Sequence, residues 1–134
     1  MAVIAYLNFN GTTEEAVHFY ANVFQTEAPE IQYFRDMPGH EEDSELGRRV
    51  LHARLTVHGT PLFFSDSMPT HPVTHGDALT LAVVANDTEL LTSQFLHLAE
   101  EGHVVMPIQE TFWSKAYGIV QDKYDVQWQF SHED

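Results

Sequence analysis

The sequence predicts an α+β domain built from two tandem β-α-β-β-β modules. The hydrophobic pattern runs through a strand, an amphipathic helix and three further strands, and this order occurs twice along the 134 residues. A stretch that contains prolines and histidines but no periodicity separates the two occurrences. We place the first module at about residues 1–66, a linker at about 67–77 and the second module at about 78–134. A chain of this length can bury one domain's core without disulfides or metals.

The first module opens with a strand over residues 2–9 and a helix that follows a turn at Asn10 and Gly11. Thr12 and Glu15 have the spacing of a capping box, so Thr12 is expected to cap the helix. Apolar residues then recur every three or four positions, which predicts one buried helix stripe. Its members are Ala16, Phe19, Tyr20, Val23 and Phe24.

Three strands complete the first module. Residues 29–35 alternate weakly, and the polar, proline-containing residues 36–49 predict a long surface loop. Residues 50–57 alternate most clearly, and Gly59-Thr60 turns the chain into a strand over 62–65. The apolar face of the strand over 50–57 carries Leu51, Ala53, Leu55 and Val57, and its second face carries His52, Arg54 and Thr56.

The second module repeats this order. A strand over residues 79–85 leads into a helix that opens with a capping signal at residues 86–89. The buried stripe of this helix is predicted to contain Leu91, Phe95 and Leu98. Gly102 stands where a helix C-cap is expected, and residues 103–109 follow as a strand.

The chain ends in a predicted hairpin of residues 117–121 and 126–130. The second strand alternates an apolar face with a face that carries Gln127 and Gln129. Asp125 closes the turn, since aspartate tolerates a left-handed backbone better than most residues. Phe112 and Trp113 precede the hairpin, at a rim of the sheet or at a dimer contact, and serve either as packing residues or as contacts to a ligand.

Composition restricts the function classes. Six Lys and Arg against twenty Asp and Glu give a formal charge of −14, which repels phosphate backbones, so no nucleic-acid partner is expected. The absence of cysteine excludes thiolate chemistry, and no apolar run approaches the roughly 20 residues of a membrane span. Neither a signal peptide nor a glycine-rich dinucleotide or phosphate loop is recognisable. We therefore expect a cytoplasmic protein.

Several motifs together resemble one family. They are Tyr6-Leu-Asn-Phe-Asn-Gly11, Glu15-Ala16, Phe19-Tyr20, His52-Ala-Arg-Leu, Phe64-Ser-Asp-Ser-Met-Pro69, Glu110-Thr-Phe-Trp113, Tyr117-Gly118 and Asp122-Lys123-Tyr124 with Trp128. Nearly end to end, the chain is similar to the PhnB-like branch of the vicinal oxygen chelate superfamily, which has the glyoxalase/bleomycin-resistance/dioxygenase fold. Gln25 and Asp125 depart from the family pattern, which has glycine at both positions.

The resemblance implies a cupped sheet, a homodimer and, in metal-dependent members, one divalent ion. The ion's ligands, histidine and glutamate, come from the first, fourth, fifth and last strands. The matching positions here are Ile4 or Ala5, Phe63, Thr80 and Gln129. Because a divalent transition metal prefers imidazole or carboxylate ligands, we expect no metal and no other cofactor. The demethylubiquinone methyltransferase label carried by some relatives has no glycine loop here to support it.

The candidate ligand-binding residues are those that the resemblance places on the inner face or rim of the cup. They are His52, Arg54, Thr56, Phe63, Ser65, Trp113, Gln127 and Gln129. Arg54 is expected either to face a ligand and water or to pair with an acid such as Asp66, because an unpaired buried charge is costly. His71 and His75 lie in the linker and are interpreted as ordinary loop residues.

Three functions remain open. The first hypothesis is a metal-free protein that binds or sequesters an unidentified small molecule, with cups completed across a homodimer. The second is an enzyme of the superfamily, such as a lyase, isomerase or dioxygenase, with relocated ligands such as His52 and Gln129. The third is a cup filled by its own aromatic residues, in a protein that acts through its surface. Those aromatic residues would include Tyr6, Phe63, Phe64 and Trp113.

Overall fold

The structure, a computed structural model, describes residues 1–40 and 43–134. They form two compact units, Met1–Thr74 and His75–Asp134. Each unit contains a four-stranded mixed sheet with a helix packed on one face. The predicted α+β class and the doubled β-α-β-β-β order are therefore confirmed.

The first unit has the strand order β1-β4-β3-β2, in which β1 is parallel to β4 and the other pairs are antiparallel. Its elements are β1 (Tyr6–Phe9), α1 (Thr13–Phe24), β2 (Glu30–Tyr33), a 3-10 helix (Phe34–Asp36), α2 (Glu45–Arg48), β3 (Val50–Val57) and β4 (Thr60–Asp66). The prediction of a loop over residues 36–49 is wrong in part, because α2 lies within it. Ser44 caps α2 by accepting a hydrogen bond from the backbone N–H of Gly47. Glu41 and Glu42 of that predicted loop lie outside the described residues.

The second unit has the strand order β5-β8-β7-β6. As in the first unit, the strands that come first and last in the sequence, β5 and β8, are paired in parallel. Its elements are β5 (Leu81–Ala85), α3 (Thr88–Leu98), β6 (His103–Gln109), β7 (Tyr117–Gln121) and β8 (Gln127–His132). The two units thus share one topology, which is the structural expression of the repeat in the sequence. Within residues 1–40 and 43–134, no helix combines the length and the hydropathy needed to cross a membrane.

The core of the first unit lies between α1 and its sheet. Ala16, Val17 and Tyr20 of α1 are fully buried, and the Tyr20 ring stacks on Phe64 of β4 with 6.1 Å between centroids. The predicted helix stripe is confirmed except at Phe19, which is half-buried.

The N-terminus of α1 is capped from a distant strand. The buried carboxylate of Asp66, at the end of β4, accepts hydrogen bonds at Oδ1 from Gly11 N (3.0 Å), Thr13 N (3.0 Å) and Thr13 Oγ1 (2.7 Å). Its Oδ2 accepts from Val50 N at 2.8 Å. The prediction that Thr12 caps the helix is wrong, because the backbone of Thr12 (φ −109°, ψ 12°) is not extended and its side chain makes no cap hydrogen bond.

Helix α3 packs on its sheet as its periodicity predicts. Leu91, Phe95 and Leu98 are buried, and the Phe95 ring meets Phe130 edge-on at 5.5 Å. Asp87 provides the cap within the predicted segment, since its Oδ1 accepts from Leu90 N at 3.0 Å.

Gly102 does not have the role that its position in the sequence suggests. The C-cap of α3 is Ala99, so the prediction of a C-cap at Gly102 is wrong. A Cβ atom on Gly102 would lie 2.4 Å from the carbonyl oxygen of Gln121. The glycine therefore permits the start of β6 to approach β7 closely.

The C-terminal hairpin is organised by Asp122, which is buried. Its Oδ1 accepts from Tyr124 N (2.8 Å) and Val126 N (3.1 Å), and its Oδ2 accepts from Trp128 Nε1 (2.8 Å). Asp125 adopts the predicted left-handed conformation with φ 70°. The predicted hairpin and its buried face, which includes Trp128, are confirmed.

Candidate functional site

The sheet of the first unit has one face against α1 and a second face that carries most of the predicted site residues. Along β3, Ala53, Leu55 and Val57 are buried, whereas Arg54 and Thr56 are exposed. The same alternation in β1 and β4 leaves side chains on this second face, which we call the first-sheet face. Its members are Tyr6, Asn8, His52, Arg54, Thr56, Phe63 and Ser65.

Three rings form a contact cluster on the first-sheet face. Tyr6 Oη lies 3.0 Å from His52 Nδ1, within hydrogen-bond distance. The ring of Phe63 meets His52 edge-on at 4.9 Å and Tyr6 edge-on at 6.0 Å. We call Tyr6, His52 and Phe63 the aromatic cluster, and its mutual contacts restrict the rotamers of all three side chains.

Arg54 extends this cluster with a positive charge. Its Cζ lies 5.4 Å from the centroid of the Phe63 ring, within the range of a cation–π contact. The predicted alternative of a pair with Asp66 is wrong, because the alternation of β4 turns Asp66 to the opposite, helix-covered face. Glu30 is the cross-strand neighbour of Arg54. Even so, no carboxylate in the described ranges lies within 4.0 Å of the Arg54 guanidinium.

Ser65 and Thr56 lie on the same face as the cluster but outside it. Ser65 Oγ donates to Asn8 Oδ1 at 2.8 Å, so an amide, and not a base, is its partner. Thr56 lies opposite Pro61 in the register. The Ser65 hydroxyl therefore donates its hydrogen to an amide oxygen and not to a base that would activate it as a nucleophile.

The second unit also leaves one sheet face uncovered by its helix, and a hydrogen-bonded chain crosses it. Tyr117 Oη donates to Gln129 Oε1 at 2.8 Å, and Gln129 Nε2 donates to Thr80 Oγ1 at 2.8 Å. Trp113 meets the Tyr117 ring edge-on at 5.3 Å. Gln127 lies opposite Gln121, one step nearer the hairpin turn.

Sequence reasoning missed Asn8 and Tyr117, and it placed Tyr6 only among the residues of the third hypothesis. The signal that could have found them is the alternation of β1 and β7, which puts them on the same faces as the predicted residues.

The positions that would hold a divalent ion do not fit one. Gln129 uses both its amide oxygen and its amide nitrogen within the unit, and Phe63 offers only a ring. In the part of the chain that the structure describes, no three His, Asp or Glu side chains are grouped as ligands for an ion. The residues therefore lack the imidazole and carboxylate set that such an ion requires.

The hypothesis of a site filled by its own aromatic residues fails for Phe64. This residue is completely buried on the helix-covered face, where it contacts Tyr20. Tyr6 and Trp113 keep 47% and 53% of their surfaces exposed, so neither is buried within its unit. Phe63 is half-buried.

Comparison with known proteins gives a consistent result. A family model described as 3-demethylubiquinone-9 3-methyltransferase matches residues 1–131. The protein YjdN of Escherichia coli K12 is 28% identical over 137 residues, which cover 96% of this chain and 92% of YjdN.

Solved structures agree with this match. The protein PA1353 from Pseudomonas aeruginosa is 29% identical, with a TM-score of 0.87 over 99% of this chain and 98% of that protein. A PhnB protein from Bacillus cereus is also 29% identical, with a TM-score of 0.81 over 99% and 100% of the two chains. At 13% and 9% identity, glyoxalase/bleomycin-resistance and fosfomycin-resistance structures share the fold alone, each with a TM-score of 0.66.

Proposed function

Since the chain belongs to the family described as 3-demethylubiquinone-9 3-methyltransferase, the PhnB-like branch of the glyoxalase/bleomycin-resistance superfamily, we propose that it is a metal-free small-molecule-binding protein. The first-sheet face is the proposed binding surface. The observation that carries the proposal is a group of three mutually packed rings, one of which contacts an exposed arginine that has no carboxylate within 4.0 Å in residues 1–40 and 43–134.

The chemistry of this face defines the ligand it suits. The aromatic cluster offers apolar surface whose rotamers are already restricted, which lowers the entropy lost on binding. Arg54 offers a guanidinium that can donate two parallel hydrogen bonds to a carboxylate or a similar oxyanion. The proposed ligand is therefore a planar apolar molecule with an acidic or strongly hydrogen-bond-accepting group.

The family's description names a methyl transfer, which we do not adopt for this chain. Methyl transfer requires a bound methyl donor, and the sequence has no glycine-rich loop after its first strand to hold a nucleotide-like cofactor. On the first-sheet face, the Ser65 hydroxyl is not activated as a nucleophile, because it is bonded to an amide oxygen. Binding without catalysis is the simpler use of these groups.

The experiment is a thermal-shift screen with planar organic acids and their uncharged analogues. A ligand at 100 times its Kd stabilises the folded state by about 2.7 kcal/mol, which for a chain of this size corresponds to a rise in Tm of roughly 10 °C. The double variant His52→Ala/Arg54→Ala is expected to reduce that rise to below about 2 °C, because it removes the cation and opens the cluster.

A matched control separates this effect from a general loss of charge. Arg35 and His40 are exposed residues of the same two types, so Arg35→Ala/His40→Ala changes the formal charge equally and should leave the rise in Tm unchanged. Equal shifts in wild type and in the His52/Arg54 variant would place binding elsewhere. A divalent ion that binds tightly with 1:1 stoichiometry and is required for the shift would contradict the metal-free part of the proposal.

The homodimer implied by the resemblance remains part of the proposal, and a molar mass of about twice 15.3 kDa in light scattering would support it.

A further inference from the structure

A separate depression of about 470 Å³ lies in the second unit, at the segment between β6 and β7 and at the residues around the end of β8. None of its residues belongs to the first-sheet face. It is lined by Glu110, Thr111, Phe112, Trp113, Ser114, Lys115, His132, Glu133 and Asp134.

The charged groups of this depression are mainly acidic. Glu110, Glu133 and Asp134 contribute three carboxylates, against one ammonium from Lys115. Lys115 Nζ lies 3.7 Å from Asp134 Oδ1, and the two side chains are 64% and 80% exposed. Such exposed pairs are weak and are readily exchanged for another cation. The depression therefore favours a positively charged ligand.

A buried histidine gives a second, independent indication. The His132 side chain is only 6% exposed, and its Nε2 points towards Asp134, whose Oδ1 is 3.9 Å away. In the described part of the chain, the His132 ring has no hydrogen bond within 3.5 Å. The ring lines the depression beside Asp134, where a ligand with N–H donors can hydrogen-bond to a ring nitrogen.

Two exposed rings supply the apolar side of the depression. Phe112 and Trp113 are 96% and 53% exposed, and their rings meet edge-on at 4.8 Å. The faces of aromatic rings carry partial negative charge and attract organic cations.

The two sides of the depression are held together by Ser114, which is buried. Its Oγ donates to the carbonyl oxygen of His132 at 2.9 Å, and its backbone N donates to Thr111 Oγ1 at 3.1 Å. The aromatic segment and the acidic end of β8 are thus connected before any ligand binds, which reduces the entropy cost of binding.

We propose that this depression is a binding site for an arylalkyl primary ammonium ion. The ammonium group lies among the carboxylates of Glu110, Glu133 and Asp134 and the His132 ring, and it donates its three N–H groups to them. The aryl group packs on Trp113 and Phe112. This site is independent of the ligand proposed for the first-sheet face.

The test uses phenethylammonium and its uncharged analogue 2-phenylethanol, titrated into the full chain by isothermal calorimetry. Trp113 provides an optical signal as well, since the other tryptophan, Trp128, is 2% exposed. We expect 1:1 binding of phenethylammonium at least about tenfold tighter than that of 2-phenylethanol, in line with a cation–π contact and charge-assisted hydrogen bonds. Equal affinity for the two compounds would overturn the proposal.

Two variants test the two halves of the site. Glu110→Gln/Glu133→Gln should weaken phenethylammonium binding about tenfold or more while leaving 2-phenylethanol unchanged, and Trp113→Leu should weaken both compounds. The matched control Glu27→Gln/Glu89→Gln removes two exposed carboxylates elsewhere and should leave the Kd unchanged. If both glutamate variants weaken binding equally, the effect comes from net charge and the specific site is refuted. Circular dichroism of each variant confirms that it is folded.

Discussion

Replacement of Asp66 by alanine should destabilise the protein more than replacement of any exposed acid. Asp66 accepts four hydrogen bonds, three of them from the backbone N–H groups of Gly11, Thr13 and Val50. In Asp66→Ala those donors lose their acceptor, and each buried unsatisfied donor costs about 1–3 kcal/mol. Because the bond to Gly11 is only partly buried, we expect a total loss of about 3–5 kcal/mol, which includes the lost helix cap.

Urea unfolding followed by circular dichroism measures this loss. With a slope of about 2 kcal/mol per molar urea, the expected change lowers the midpoint by about 2 M. Asp66→Asn should fall between wild type and Asp66→Ala, because its amide keeps one acceptor oxygen but presents N–H donors to other N–H donors. Asp77→Ala is the control, since Asp77 is exposed and should change stability by less than about 0.5 kcal/mol. If Asp66→Ala and Asp77→Ala had the same midpoint, the assignment of Asp66 as the cap of α1 and the anchor of β3 would be refuted.

Two further changes test the backbone. Gly102→Ala should destabilise the fold by about 2–3 kcal/mol in urea unfolding, because its Cβ would lie 2.4 Å from the carbonyl oxygen of Gln121. Gly76→Ala is the control and should lose clearly less stability, because its Cβ would meet open space and only the positive φ of +66° disfavours alanine there. Gln25→Gly should raise the free energy of unfolding by about 0.5 kcal/mol. Gln25 is the C-cap of α1 and has a left-handed conformation with φ 52°, which glycine adopts without strain. A lower melting temperature in calorimetry would contradict this explanation.

The elements of the fold could be predicted because hydrophobic periodicity is a local property. The alternation along β3 predicts that Arg54 and Thr56 share one face, and the spacing of Leu91, Phe95 and Leu98 predicts the buried stripe of α3. Both depend only on residues a few positions apart. The predicted ends of the strands were less accurate: the first strand begins at Tyr6 and not at residue 2.

The capping of α1 could not be predicted, because the local pattern favoured a different residue. Thr12 and Glu15 have the spacing of a capping box, but Asp66 lies 53 positions from Thr13 and reaches it only after β1 has paired with β4. The same holds for Gly102, whose closeness to Gln121 depends on the pairing of β6 with β7.

The candidate site, like the fold, could be predicted from the sequence only in part. Alternation along one strand predicted that His52 and Arg54 share a face, and the resemblance to the family added Phe63. Alternation could not indicate that Tyr6 lies 3.0 Å from His52, because that contact depends on the pairing of β1 with β4 and of β4 with β3.

The amino-acid sequence by itself determined the order of the elements, the repeat of one module and the polar or apolar character of each sheet face. Only the tertiary structure decided which distant donors and acceptors meet: Asp66 with the start of α1, and Gln129 with Thr80. The physical reason is the range of the interactions. Side-chain periodicity is set by the backbone geometry of a single strand or helix, whereas most of these contacts depend on strand registers that are established when the whole sheet forms.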